Sequence, residues 1–260
     1  MTALDQAHAA MLADPEDDAA RLRFYAQIAD GEMVLLLEAE AEGDVLTPRV
    51  FELEDGPVVL IFDHQDRLAE FAGQAVAYAA LPGRVIAAQL AGQGIGLGVN
   101  LGVAPSSMLL PPAAVDWLAA TLQHAPDEVE AVPQAFHAPQ VLPAALRVAL
   151  EGRLARAGGL ASHVLLAGVT YQGGRRGQML AFVGAVPEAE AALARAAAEA
   201  LTFSGVEAGE MDVTFVAPGT ATEREMARVG LRFDIATPAR PAAPAPDAPV
   251  TIPPRPPRLR

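Results

Sequence analysis

Apolar positions recur along the chain with two alternating periods, and the changes between them mark out the elements. Thr2 to Ala13 is compatible with a helix. Asp14-Pro15-Glu16-Asp17-Asp18 then reads as a second helix start, with Asp14 as N-cap, Pro15 at the first helical position and the following acids at the positive end of the helix dipole. The helix so predicted spans 15–29 and shows Leu22, Tyr25 and Ile28 on one face. Strand-length apolar runs follow at Met33–Leu37, Arg49–Leu53 and Val58–Phe62, with Gly43-Asp44 and Asp55-Gly56 as turns. Asp63 is expected to cap a short helix carrying Leu68 and Phe71 inward. A strand over 75–79, a turn Leu81-Pro82-Gly83-Arg84, a helix over 84–91, a strand over 95–100 and a helix opened by Pro111-Pro112 complete this part.

Residues 124–142 hold three Pro and little apolar repetition, and read as a linker. Beyond them the pattern gives a helix over 143–157, strands over 163–171 and 178–186 joined by a Gly-rich loop, and a helix from Pro187 to Thr202. A strand through Met211, Val213 and Phe215, a helix over 221–229 and a strand through Leu231, Phe233 and Ile235 close the set. The expected fold class is α/β (α+β): a mixed-sheet layer domain over 1–123 and an αββαβαβ layer domain over 143–236. From residue 237 the character changes, because 9 of the last 24 residues are Pro and few are large and apolar. Such a segment buries too little surface to offset its conformational entropy, so 237–260 is expected to be a disordered tail. Its Pro253-Pro254-Arg255-Pro256-Pro257-Arg258 run suits an aromatic groove that binds polyproline helices, although a solubilising extension explains it as well.

Charge narrows the partners. The net charge is −14, and all 18 basic residues are Arg. The first 123 residues hold 18 acids against five Arg, whereas the tail holds four Arg and one acid. An acidic first domain repels nucleic-acid backbones and anionic membranes, so neither is expected as a partner. Acids at Glu38, Glu40, Glu42, Asp44, Glu52, Glu54 and Asp55 crowd the first hairpin. They read as a solvated edge or as a contact patch for a basic protein. The first residues lack the basic and apolar regions of a secretory signal, and no run is apolar for the length of a membrane span. The cytoplasm is therefore the expected location.

Catalytic chemistry finds little purchase. There is no Cys, and no two of the five His lie three to five residues apart, so no cysteine nucleophile and no helical metal pair is available. Gly92-Gln93-Gly94-Ile95-Gly96-Leu97-Gly98 has the glycines of a phosphate loop but stands between a helix and a strand, the reverse of the dinucleotide fingerprint. None of the four Ser lies in a nucleophile elbow. No catalytic residue, cofactor or metal is assigned.

Several of the residues quoted above also carry a resemblance. Pro57-Val58-Val59-Leu60-Ile61-Phe62, Leu81-Pro82-Gly83-Arg84, Gly96 to Gly102 with Asn100, and Leu110-Pro111-Pro112 leading to Trp117-Leu118 resemble the SseB family amino-terminal domain. Residues 143–236 are similar in pattern to the SseB carboxy-terminal domain. The resemblance implies no catalytic residues. It carries a family label connected with serine sensitivity and sometimes with secretion, so a secretion-associated accessory protein is one functional expectation. The leading expectation is a non-catalytic protein-interaction or regulatory protein, with Pro82, Gly83, Arg84 and Asn100 as the candidate binding patch. The other is a small-ligand binder or enzyme with its site in the cleft between the domains.

Overall fold

Two sheets, each gathered by its own run of chain, organise the computed structural model, which describes residues 1–41, 43, 45–124, 131–205 and 211–235. The tail expected over 237–260, and the hairpin acids Glu42 and Asp44, lie outside the described residues. The fold is α+β.

The first module begins with α1 (Ala3–Ala13), closed at its start by a capping box in which Thr2 accepts from the Asp5 amide and the Asp5 carboxylate accepts from the Thr2 amide. Its second helix, α2 (Asp18–Asp30), starts three residues later than the sequence suggested. Asp14 does not cap it, because its carbonyl instead accepts the Asp17 amide in a turn, and Asp17 takes the N-cap position. Strands β1 (Glu32–Leu36), β2 (Val50–Leu53) and β3 (Gly56–Phe62) follow, then α3 (Gln65–Ala72), β4 (Tyr78–Pro82), α4 (Gly83–Leu90), β5 (Gly96–Val99), β6 (Met108–Leu110) and α5 (Pro112–Gln123). The path of the sheet is β4-β1-β3-β5-β6, with β2 pairing with β3 as well; β3 and β5 run parallel and the other neighbours antiparallel. One face packs Leu35, Val59, Ile61 and Leu97 against Ile28 of α2, Ile86 of α4 and Leu118 of α5. On the other, Val34, Leu36, Leu60 and Phe62 meet Leu68 of α3.

Three further expectations for this module change. Asp63 does not cap α3: His64 holds the N-cap position, and the Asp63 carboxylate bonds Arg67 and Thr2 instead. The strand expected over 75–79 lies at 78–82, where its residues pair with β1 from Glu32↔Pro82 to Leu36↔Tyr78. No turn separates it from α4. Pro82 ends the strand and Gly83 opens the helix, and a Cβ on Gly83 would stand 1.9 Å from the Ile28 carbonyl oxygen. Glycine is needed there for the close approach of α4 to the end of α2.

The second module contains β7 (Pro133–His137), α6 (Ala144–Arg156), β8 (His163–Tyr171), β9 (Arg176–Val183), α7 (Glu190–Ser204), β10 (Met211–Val216), α8 (Ala221–Val229) and β11 (Leu231–Asp234). β7 lies in the span read as a linker, where Pro133 and a register shift obscure its alternation, and it pairs with β8. The sheet path is β10-β9-β8-β11, with β10 parallel to β9. α6 and α7 cover one face through Leu146, Leu150, Leu193 and Ala197, and Met226 of α8 packs on the other. The two modules meet along α2 and α7: Phe203 of α7 belongs to the core of the first module and stands edge-on to Trp117, 6.4 Å between ring centroids.

Candidate functional sites

The junction of the modules holds a charged quartet. Gly83 seats the first turn of α4 on the end of α2, which brings Arg84 to Asp30, with a donor–acceptor distance of 2.6 Å. The same guanidinium reaches both oxygens of Glu199 on α7, at 3.3 and 3.2 Å. Arg153 of α6 also bonds Glu199, and lies 3.2 Å from Asp30. Glu199 is 3% exposed, and among the described residues its carboxylate is met by these two guanidinium groups. Beside the quartet a cleft of about 330 Å³ opens, with Arg195 on its exposed edge.

Asn100 belongs elsewhere. β4 and β5, which lead to Arg84 and Asn100, are separated by β1 and β3, a span of three strand spacings or about 14 Å. The four residues Pro82, Gly83, Arg84 and Asn100 therefore do not form one patch. Asn100 is fully buried at the end of β5, with a left-handed backbone (φ 49°) that is costly for a residue other than glycine. Its side chain repays that strain: Oδ1 accepts the Asp63 amide at 3.1 Å and Nδ2 donates to Ser106 Oγ at 2.9 Å.

Asn100 and Ser106 back an ion cluster at the carboxyl ends of the parallel strands β3 and β5. Arg67 grips Asp5 with both terminal nitrogens, at 3.0 and 2.5 Å, and bonds Asp63 at 2.7 Å. Ser106 Oγ donates to Asp5 at 2.6 Å and Thr2 Oγ1 donates to Asp63 at 2.6 Å. Burial alone would raise the Asp5 carboxyl. The hydrogen bonds from Arg67, Ser106 and the Thr2 amide outweigh it and hold the group far below the ordinary carboxylate range.

A third feature is apolar. Between α4 and the β1–β2 connection runs a groove of about 640 Å³, floored by Leu35, Val59 and Ile86 and edged by Leu46, Val50 and Val85. Val50 and Val85 are exposed, and among the described residues no ionisable side chain lines the groove. The glycines after α4 hold no phosphate loop. They carry the chain into β5, where a Cβ on Gly96 would meet the Leu110 carbonyl oxygen at 2.6 Å. Among the described residues no three His, Asp or Glu side chains gather to hold a metal, and no helix is long and apolar enough to cross a membrane.

Sequence reading found Arg84 and Asn100 but none of their partners. One local signal was available: Asp63 and Arg67 stand four apart across a helix start, the spacing of a helical ion pair. A second was Glu199, which shares the face of Phe203 one helical turn away and so carries a charge where α7 turns inward. Asp5 with Ser106, and Arg84 with Glu199, lie 101 and 115 residues apart and leave no local trace. No curated protein and no solved structure matches the chain. The family match falls on the module that holds Arg67, Asn100 and the groove: residues 4–117 match the family model described as the SseB protein N-terminal domain.

Proposed function

We propose that the chain is a non-catalytic cytosolic interaction protein, and that the groove of its first module takes an apolar segment of another polypeptide. The observation that carries this reading is the groove itself. It is a mainly apolar trough with exposed valines on its edge, and among the described residues its lining holds no acid or base. Charge selects the partner. The module carries 18 acids against five Arg, and exposed Glu38 and Glu40 precede the edge residue Leu46, so the segment that fits is apolar with basic flanks. In this reading the second module, whose pattern resembles the SseB carboxy-terminal domain, supports the first through the quartet.

The test is co-purification of the tagged chain from its own cells, with the contact mapped by cross-linking. A stoichiometric partner cross-linked at the groove, and lost from Val50→Glu while the melting temperature is kept, is the expected result. A partner retained by Val50→Glu, or cross-linked only to other surfaces, overturns the reading. Repeating the experiment without residues 237–260 shows whether the Arg-bearing tail competes for the groove or recruits the partner.

A second reading has its own observation. The cleft between the modules is lined by Asp30, Arg84, Arg153, Glu199 and Arg195, and Arg195 has no ion-pair partner among the described residues. A small anion fits that surplus of one positive charge. It ranks second because Arg84 and Arg153 already spend donors on Asp30 and Glu199. Saturable binding of a phosphate- or carboxylate-bearing metabolite, abolished in Arg195→Ala, would reverse the ranking.

A further inference from the structure

The cluster around Arg67 has the form of a receptor with its ligand in place. A carboxylate is held by both terminal nitrogens of one guanidinium and by a serine hydroxyl, and the serine is itself fixed by Asn100. Ser106 and Asn100 are completely buried, and their positions are set by the loop after β5 rather than by α1. The pocket lies beyond the carboxyl ends of adjacent parallel strands, where open α/β sheets bind their ligands. The carboxylate that fills it belongs to Asp5, which arrives from outside the sheet on α1.

The attachment of α1 is unusual in its polar economy. Among the described residues, every hydrogen bond that α1 and its cap residue Thr2 make to the rest of the fold ends in this pocket, on Arg67, Asp63 or Ser106. The remainder of its contact is apolar, through Leu4 and Met11 in the core and His8 against Phe24. α1 adds no strand to the sheet and joins α2 through a four-residue turn. It can therefore leave without breaking a sheet hydrogen bond.

We propose that Arg67, Ser106 and Asn100 form a carboxylate-binding site that Asp5 fills as an internal ligand, so that α1 is replaceable by a carboxylate borne on another polypeptide. Charge makes the event an exchange and not an addition. Asp5, Asp63 and Arg67 already sum to one negative charge, and a second incoming carboxylate is repelled until Asp5 departs. Asp63 stays with Arg67 in either state, because it belongs to the end of β3. The site is separate from the groove, and its test does not depend on the groove's occupant.

The experiment empties the pocket in the full-length chain with Asp5→Ala and offers carboxylates in solution. Acetate should raise the melting temperature of Asp5→Ala by about 3 °C more than chloride at equal ionic strength, and should give no such excess in the wild type or in Asp5→Ala/Arg67→Ala. A free peptide of residues 1–13 should then bind Asp5→Ala saturably, and the same peptide carrying Asp5→Ala should bind at least tenfold more weakly. If Asp5→Ala does not fold, Asp5→Ser, which can still cap α1 but is too short to fill the pocket, takes its place. Equal effects of acetate and chloride, or equal binding of the two peptides, overturn the proposal.

Discussion

The molecule contains two arginine–carboxylate clusters with nearly the same chemistry and different consequences. Around Arg67, one guanidinium serves two carboxylates, the charge does not balance, and buried Ser106 and half-buried Thr2 supply further hydrogen bonds. Between the modules, Arg84 and Arg153 serve Asp30 and Glu199, and the charges cancel. The first cluster fastens a terminal helix to its own module, and the second fastens two modules to each other. An unbalanced cluster has a carboxylate that can be exchanged, whereas a balanced one mainly resists separation. The comparison predicts a locally opening first module and a rigid junction.

The largest effect should come from Arg67→Met. It leaves Asp5 and Asp63 facing each other with the Ser106 and Thr2 hydroxyls and the Thr2 amide as partners, and a loss of about 3–5 kcal/mol at neutral pH follows from stranding buried charge. Acid should shrink the difference between variant and wild type. The Asp5 carboxyl is held below its ordinary value of 3.8 in the folded protein, so its contribution is present above that value and is lost as pH falls through the folded one. Urea unfolding at neutral pH and near pH 3 measures both effects. A gap that stays constant with pH would show that Arg67 acts through packing and not through charge.

Glu199→Gln should cost less, about 2 kcal/mol, because Asp30 remains for both guanidinium groups and the amide oxygen still accepts one hydrogen bond. Its signature is different in kind. Loosening the quartet should separate the unfolding of the two modules, so that Trp117 fluorescence and far-ultraviolet circular dichroism no longer report one transition. Coincident transitions in Glu199→Gln would assign the rigidity of the junction to Phe203 and its packing on Trp117 instead.

The sequence exposes these two regions unequally, and the reason is physical. Helices α4 to α8 and strands such as β3, β8 and β10 follow from period alone, since a buried face must be apolar at every second or every third and fourth residue. β6 has only three residues, and β7 is interrupted by Pro133 and a register shift, so neither leaves a period to read. The Pro82-Gly83-Arg84 segment has turn composition, yet it is a strand running directly into a helix. Its glycine answers a contact with Ile28 that is set by tertiary packing and not by local chain geometry. The candidate patch failed for the same reason. Arg84 and Asn100 are both special residues at the same end of one sheet, but strand order puts β1 and β3 between them, and strand order is not written in local pattern.

The smallest effect tests whether titration outside the two clusters matters. His163 is 8% exposed at the start of β8, 3.5 Å from Glu223 of α8, and it faces Arg232 and Asp234 on β11. Burial, reinforced by Arg232, holds its imidazole below the ordinary 6.5, against the opposing pull of Glu223 and Asp234. A depressed histidine favours the fold while it is neutral. Its contribution is complete above pH 6.5 and fades as the pH falls through the folded value. The wild type should therefore lose about 1 kcal/mol or less relative to His163→Gln between about pH 8 and about pH 5. That interval lies above the range in which Asp5 titrates, so the two contributions are read separately. A larger loss there would mean that α8 and β11, and not α1, form the acid-sensitive part of the molecule.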